Sequence, residues 1–284
     1  MTLAPYGALL DAVRGLTWPS RRRVSGALPG THDSRRRGMS PELSEYRVYR
    51  QGDDPRQLDW KLLARTDRAF VRLAEERSIL STMFVLDASA SMAFPSHGTS
   101  KWDYAVGVAI ALAAVARGVG DPVGLIVPTI SGEAVIAPHA RRGIVREMAR
   151  ALGSVTPRGS PEIAPVLRRG LRAGRIAIVS DFLGDQQATR VAAQALVAQG
   201  RDVHAVHVIA EEELEPVQGA AMVVDPEQPS LRRPMTAATR SGYRDRFAQW
   251  REDLGRSWRL TGATFTEVIV GEPTARAVVR VVAA

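Results

Sequence analysis

From about residue 80 the chain alternates short apolar runs with helical periods, and this alternation limits most strongly the folds open to it. TMFVLD (82–87) and RIAIVSD (175–181) are continuous apolar runs that stop at a carboxylate. PVGLIVPT (122–129), DVHAVHVIA (202–210) and TFTEVIV (264–270) read as further strands, and EAVIA (133–137) forms a hairpin with 122–129 around Ser131 and Gly132. Between them, KWDYAVGVAIALAAVARGVG (101–120) is apolar on every side and is expected to be a largely buried helix. Helices are also expected at 142–155, 161–171 and 186–199, the last closed by Gly200, and near 237–260. In that final helix Tyr243, Phe247, Trp250, Leu254 and Trp258 form one stripe, read as core. The pattern implies an α/β domain with a mostly parallel sheet flanked by helices.

Residues 1–77 have a different texture. They carry fifteen basic residues against ten acidic ones, with the runs SRRR at 20–23 and 34–37 and many turn residues. The expected division is therefore an arginine-rich, loop- and strand-rich N-terminal region (1–77) and an α/β domain (78–284). No aromatic residues interleave with the arginine runs, so a solvated lead is favoured over a nucleic-acid or anionic-membrane tether. Around YRQGDDPRQLDW (49–60), Arg47, Arg50 and Arg56 can pair with Asp53, Asp54 or Asp59, with Trp60 as a large anchor. The alternative for Arg47, Asp53, Asp54, Arg56 and Asp59 is that they form a partner-binding surface.

The chain has no cysteine, which removes disulfides, thiolate metal sites and thiol nucleophiles, and fits a cytoplasmic protein. The first residues lack the apolar core of a secretory signal, and the longest apolar stretch, 105–116, falls short of the ~20 residues of a membrane span. Neither P-loop, Gly-x-Ser-x-Gly nor His-Glu-x-x-His occurs. His204 and His207, three apart on a strand, face opposite sides and make poor partners for one metal. The expectation is a non-enzymatic protein. A Mg²⁺-dependent phosphohydrolase using Asp87 is the rival, weakened by the lack of a well-placed lysine in the sequence.

The candidate chemistry lies where strands end. VLDASASM (85–92) places Asp87, Ser89 and Ser91 at alternate positions, VTPRGSPE (155–162) offers Thr156 and Ser160, and AIVSDFLGD (177–185) offers Asp181. In a parallel sheet, ligands bind beyond the carboxyl ends of the strands, and an all-oxygen set suits a hard divalent cation such as Mg²⁺. The same residue types also cap helices and form turns.

These three loops resemble the metal-ion-dependent adhesion site of the von Willebrand factor A family, with its Asp-x-Ser-x-Ser loop, a Thr on the second loop and an Asp on the third. The resemblance implies a metal held by Asp87, Ser89, Ser91, Ser160 and Asp181, with Mg²⁺, Mn²⁺ or another divalent cation completed by a partner's Glu or Asp. Ser160 stands where Thr is usual and lacks the methyl group that stiffens the rotamer. Phe182 stands where many members have Gly.

A second resemblance is denser. Gly30, His32, Ser34, Gly38, Glu42, Arg47, Tyr49, Gly52, Asp53, Asp54, Arg56, Asp59, Trp60, Ala64, Arg65 and Glu76, together with residues 100–125, are similar to the family called domain of unknown function fifty-eight, over most of residues 26–185. That resemblance implies a metal-dependent protein-interaction module, partnered with a MoxR-type AAA+ ATPase and an unidentified client protein.

Overall fold

The computed structural model describes residues 6–21, 29–38, 45–51, 53, 55, 58–169, 171–184, 186–216, 222–224, 230, 232–234 and 236–284. It divides into two compact units, Ser20–Leu80, and Met1–Pro19 with Ser81–Ala284. The expected boundary after residue 77 therefore lies close to the end of the smaller unit, but the first nineteen residues go with the larger one. The physical reason is Trp18, whose side chain is buried in the larger unit's core beside Phe84. Arg175 fixes it there: Nη2 donates to the carbonyls of Trp18 (3.0 Å) and Pro19 (2.8 Å), and Nε pairs with Asp202.

Besides helix α1 (Gly7–Ala12), which packs in the larger unit, the chain begins with the smaller unit. There β1 (Pro29–Gly38), β2 (Glu45–Val48), α2 (Trp60–Thr66) and β3 (Phe70–Ser78) form a three-stranded antiparallel sheet in the order β1-β3-β2 with one short helix. Asp59 caps α2, accepting from the N–H groups of Lys61 and Leu62. Trp60 is 65% exposed, so it is not the anchor the sequence suggested. Val71 of β3, by contrast, is buried.

The larger unit continues with β4 (Thr82–Leu86), α3 (Lys101–Gly118), β5 (Val123–Thr129), β6 (Gly132–His139), α4 (Ile144–Gly153), α5 (Ala164–Arg168), β7 (Arg175–Ser180), α6 (Gln186–Ala198), β8 (Asp202–Ile209) and α7 (Glu211–Leu214). After the small exposed hairpin β9 (Met222–Val224) and β10 (Arg232–Pro234) come α8 (Ala237–Leu260), β11 (Thr264–Ile269) and α9 (Thr274–Ala283). The six-stranded sheet has the order β11-β8-β7-β4-β5-β6, parallel throughout except for the edge strand β6, which pairs antiparallel with β5. The mostly parallel, helix-flanked architecture is the one the sequence implied. Every residue of β4, β7 and β8 is buried, which is why the centres of β4 and β7 read as unbroken apolar runs, while β8 also buries Asp202, His204 and His207.

On one face of the sheet α3 buries fourteen of its residues against β4, β5, α4 and α9. On the other, Ile163, Leu167, Leu196, Leu254 and Trp258 pack over Val85 and Ile178. Each such large apolar side chain contributes about 1.5–3 kcal/mol by burial. His204 and His207 do face opposite sides, meeting Trp18 and Trp250 respectively. At Gly124 β6 comes so close that an added Cβ would lie 2.6 Å from the carbonyl oxygen of Ile136.

Two helices differ from expectation. The helix expected over 161–171 is only α5, because Pro165 lacks the N–H that a helix begun at 161 would use in its second turn, and residues 161–163 remain as loop. In α8, Leu254 and Trp258 are buried, whereas Tyr243, Phe247 and Trp250 are only half-buried and stack on one another.

Candidate functional site

The sheet order reverses direction between β4 and β7, which are hydrogen-bonded neighbours yet separated by two further strands in the chain. Loops leaving the carboxyl ends of two such strands diverge to opposite faces and open a crevice, the usual place for a ligand in this architecture. Asp87 follows β4 and Asp181 follows β7, so both carboxylates stand at this switch point.

Backbone bonds tie the loops together. Asp87 N–H donates to Val179 O (3.0 Å), Ala90 N–H to Gly159 O (2.8 Å), and Arg158 N–H to Ala88 O (2.9 Å). Gly159, at φ +65°, occupies the left-handed region, and this turn presents Ser160. Asp87, Ser89 and Ser160 line one cavity of about 300 Å³, together with Ser180, Phe182 and Glu162. Ser91 and Asp181 are buried and do not line it.

The side chains are held closely. Asp87 accepts from Ser89 N–H on Oδ1 (2.8 Å) and from Ser180 Oγ on Oδ2 (2.6 Å). Ser89 Oγ and Ser91 Oγ lie 3.0 Å apart. Ser180 Oγ in turn accepts from Phe182 N–H. Asp181 accepts from Leu183 N–H on Oδ1 and from the Lys101 ammonium on Oδ2 (2.8 Å). Burial, and then the charge of Asp181, push Asp87 up to about 6, against the hydrogen bonds from Ser180 and Ser89. Burial acts to lower Lys101, but Asp181 and Glu213 outweigh it and hold the ammonium charged.

Sequence reasoning missed three members of this cluster. Ser180 precedes an Asp and read as the end of a strand. Lys101 is buried at 1% exposure, bonded to both Asp181 and Glu213 Oε1 (2.7 Å), and so a lysine is in fact well placed. Glu213, on α7, also accepts from Ala210 N–H on Oε2. The available signal for Lys101 was compositional: the chain has only two lysines among 38 basic residues.

The expected partner-binding residues of the smaller unit are dispersed in role. Arg47 pairs with Asp53 (2.8 Å), which also accepts from Arg50 N–H, and these bonds hold the Asp53 carboxyl below the usual range. Asp59 serves α2, while Asp54 and Arg56 lie outside the described residues.

Chemically, the switch-point cluster offers the buried carboxylates of Asp87 and Asp181, with Glu213 behind Lys101, and the hydroxyls of Ser89, Ser91, Ser160 and Ser180, with no sulfur or imidazole. Among the described residues no three His, Cys, Asp or Glu side chains are grouped to hold a metal by themselves, so hydroxyl oxygens would have to complete the set. Buried like charges facing hydroxyl oxygens fit a hard divalent cation in donor type.

The family described as "Protein of unknown function DUF58" matches residues 45–253, most of the chain, beginning after residue 26, where the sequence resemblance starts, and running on beyond residue 185. The chain belongs to this family. The uncharacterized protein Rv1480 of Mycobacterium tuberculosis is 31% identical over 266 residues, covering 90% of this chain and 83% of that protein, and the uncharacterized protein Mb1516 of Mycobacterium bovis matches equally. Among solved structures, the conserved hypothetical protein BatB from Bacteroides thetaiotaomicron has a TM-score of 0.49 at 17% identity, covering 72% of this chain and 97% of that one. The SpRpn10 VWA domain has a TM-score of 0.40 at 11% identity, covering 71% and 94%. In this DUF58 chain the six-stranded sheet is parallel but for its single antiparallel edge strand, β6.

Proposed function

We propose that this DUF58 protein is a non-enzymatic, metal-dependent interaction module in which Asp87, Ser89, Ser91, Ser160 and Asp181 hold Mg²⁺ or a similar divalent cation. The observation that carries the reading is the stitching of three loops, distant in sequence, around one oxygen-lined crevice at the switch point. When bound, the cation supplies a Lewis-acid centre with a coordination position for an acidic side chain from outside. Asp87, Asp181 and the serine hydroxyls would hold the cation, and Ser180 and Lys101 hold the two carboxylates in place. The partner we propose on the family resemblance is a MoxR-type AAA+ ATPase, the two acting on a client protein in the assembly or maturation of complexes. Nothing in this site requires a bond to be made or broken.

The test is binding of a purified MoxR-type ATPase to immobilised chain with Mg²⁺, with EDTA, and with Asp87→Ala. Loss of binding in both latter cases supports the reading, and binding indifferent to both overturns it. Lys101 gives the phosphohydrolase alternative the lysine it lacked in sequence. However, both oxygens of Asp87 accept hydrogen bonds, and the Lys101 ammonium is taken up by two carboxylates. Turnover of a generic phosphate ester that disappears in Asp87→Ala would favour that alternative.

A further inference from the structure

Lys101 is an unusual residue for its place. It opens α3, where the helix dipole disfavours a positive charge, and its side chain is removed from water. Nothing in the helix explains it: the cap is Ser100, which accepts from Asp103 N–H. In a chain with 38 basic residues, nearly all of them arginine, a compact ammonium stands here instead of a guanidinium. Its two carboxylate partners are 80 and 112 residues away, and each is held by a second bond, Asp181 to Leu183 N–H and Glu213 to Ala210 N–H. The ammonium is therefore a fixed charge on a rigid frame.

We propose that Lys101 is a positioning residue that sets the strength of the cation site: its permanent positive charge on Asp181 keeps the affinity of the free protein for a divalent cation low, so that firm retention depends on the carboxylate a partner contributes. This rests on the reading of the switch-point cluster as a divalent-cation site and adds its regulation. Asp87, Asp181 and Glu213 bring three negative charges to the cluster and Lys101 offsets one of them. A divalent ion entering the cluster is repelled by the ammonium, and both carboxylates that hold the ammonium resist its departure. Glu213 acts in the opposite sense, because it spreads the lysine's charge over a second carboxylate.

The experiment is titration of the full chain with Mn²⁺, without partner, reading free Mn²⁺ by electron paramagnetic resonance, with circular dichroism as the check on folding. Lys101→Met is expected to bind Mn²⁺ about tenfold more tightly than the wild type, and Glu213→Gln about tenfold more weakly. A purely architectural role for Lys101 predicts that both variants bind more weakly. If folded Lys101→Met binds no more tightly than wild type, while Asp87→Ala abolishes wild-type binding, the tuning role is overturned and the cation site stands. If no folded variant binds Mn²⁺ at all, both are overturned. Should Lys101→Met fail to fold, Lys101→Gln, which keeps a hydrogen-bond donor without the charge, decides: tighter Mn²⁺ binding than wild type supports the proposal, and equal or weaker binding overturns it.

Discussion

Ser180 Oγ donates to Asp87 Oδ2 at 2.6 Å, joining the last residue of β7 to the first residue beyond β4. The same hydroxyl accepts from Phe182 N–H, so a single side chain fixes the first and third loops to each other. Ser180→Ala removes both bonds and leaves Asp87 and an amide short of partners. A loss of about 1–3 kcal/mol is expected in urea unfolding, with unchanged slope.

Gly159 permits the turn that presents Ser160. At φ +65°, a Cβ there would also meet Ile130 Cγ2 at 2.5 Å. Ile130 is exposed and can move aside, so the backbone conformation carries most of the penalty. Gly159→Ala is expected to cost about 1–2 kcal/mol and to weaken Mn²⁺ binding, measured by thermal unfolding and by titration.

Phe182 takes a conformation that favours glycine, φ +52°, in order to bury its ring 4.8 Å from that of Trp258. Two effects oppose in Phe182→Gly: relief of about 1–3 kcal/mol of strain, and loss of about 3–5 kcal/mol of packing. Packing wins, and a net destabilisation of about 2 kcal/mol is expected in urea unfolding.

Glu267 supplies a pH dependence away from the site. Burial acts to raise its carboxyl, but hydrogen bonds from His207 and Arg251, with the charge of Arg251, bring it down to about 2. A folded-state value below the unfolded one means stability that is complete above the ordinary carboxylate range and lost as pH falls from about 4.5 towards 2. Glu267→Gln is expected to remove about 1–2 kcal/mol at neutral pH, allowing for solvent screening, and to flatten the acid limb of the stability profile.

The sheet was legible because the middle residues of β4 and β7, buried on both faces, are apolar, while Asp87 and Asp181 mark the strand ends. The loops of the candidate site were legible for the same reason. Lys101, Ser180 and Glu213 were not, since their roles come from partners 80 to 112 residues away, and no local spacing encodes such pairs. The aromatic stripe of α8 had the helical period of a core face along its whole length. Yet only its C-terminal end lies over the sheet, and its other half is covered mainly by its own stacked rings. Helix α9 was absent from the periodic reading, although Ala277, Val278, Val281 and Val282 give it a buried face against α3.

The most direct measurement is a crystal structure of the chain grown with Mn²⁺, with anomalous scattering recorded at the manganese edge. A peak is expected at the carboxyl ends of β4 and β7, with the hydroxyl oxygens of Ser89 and Ser91 at coordination distance, and no such peak in Asp87→Ala. A peak elsewhere on the protein, or a crevice that stays free of manganese in well-ordered crystals, would contradict it.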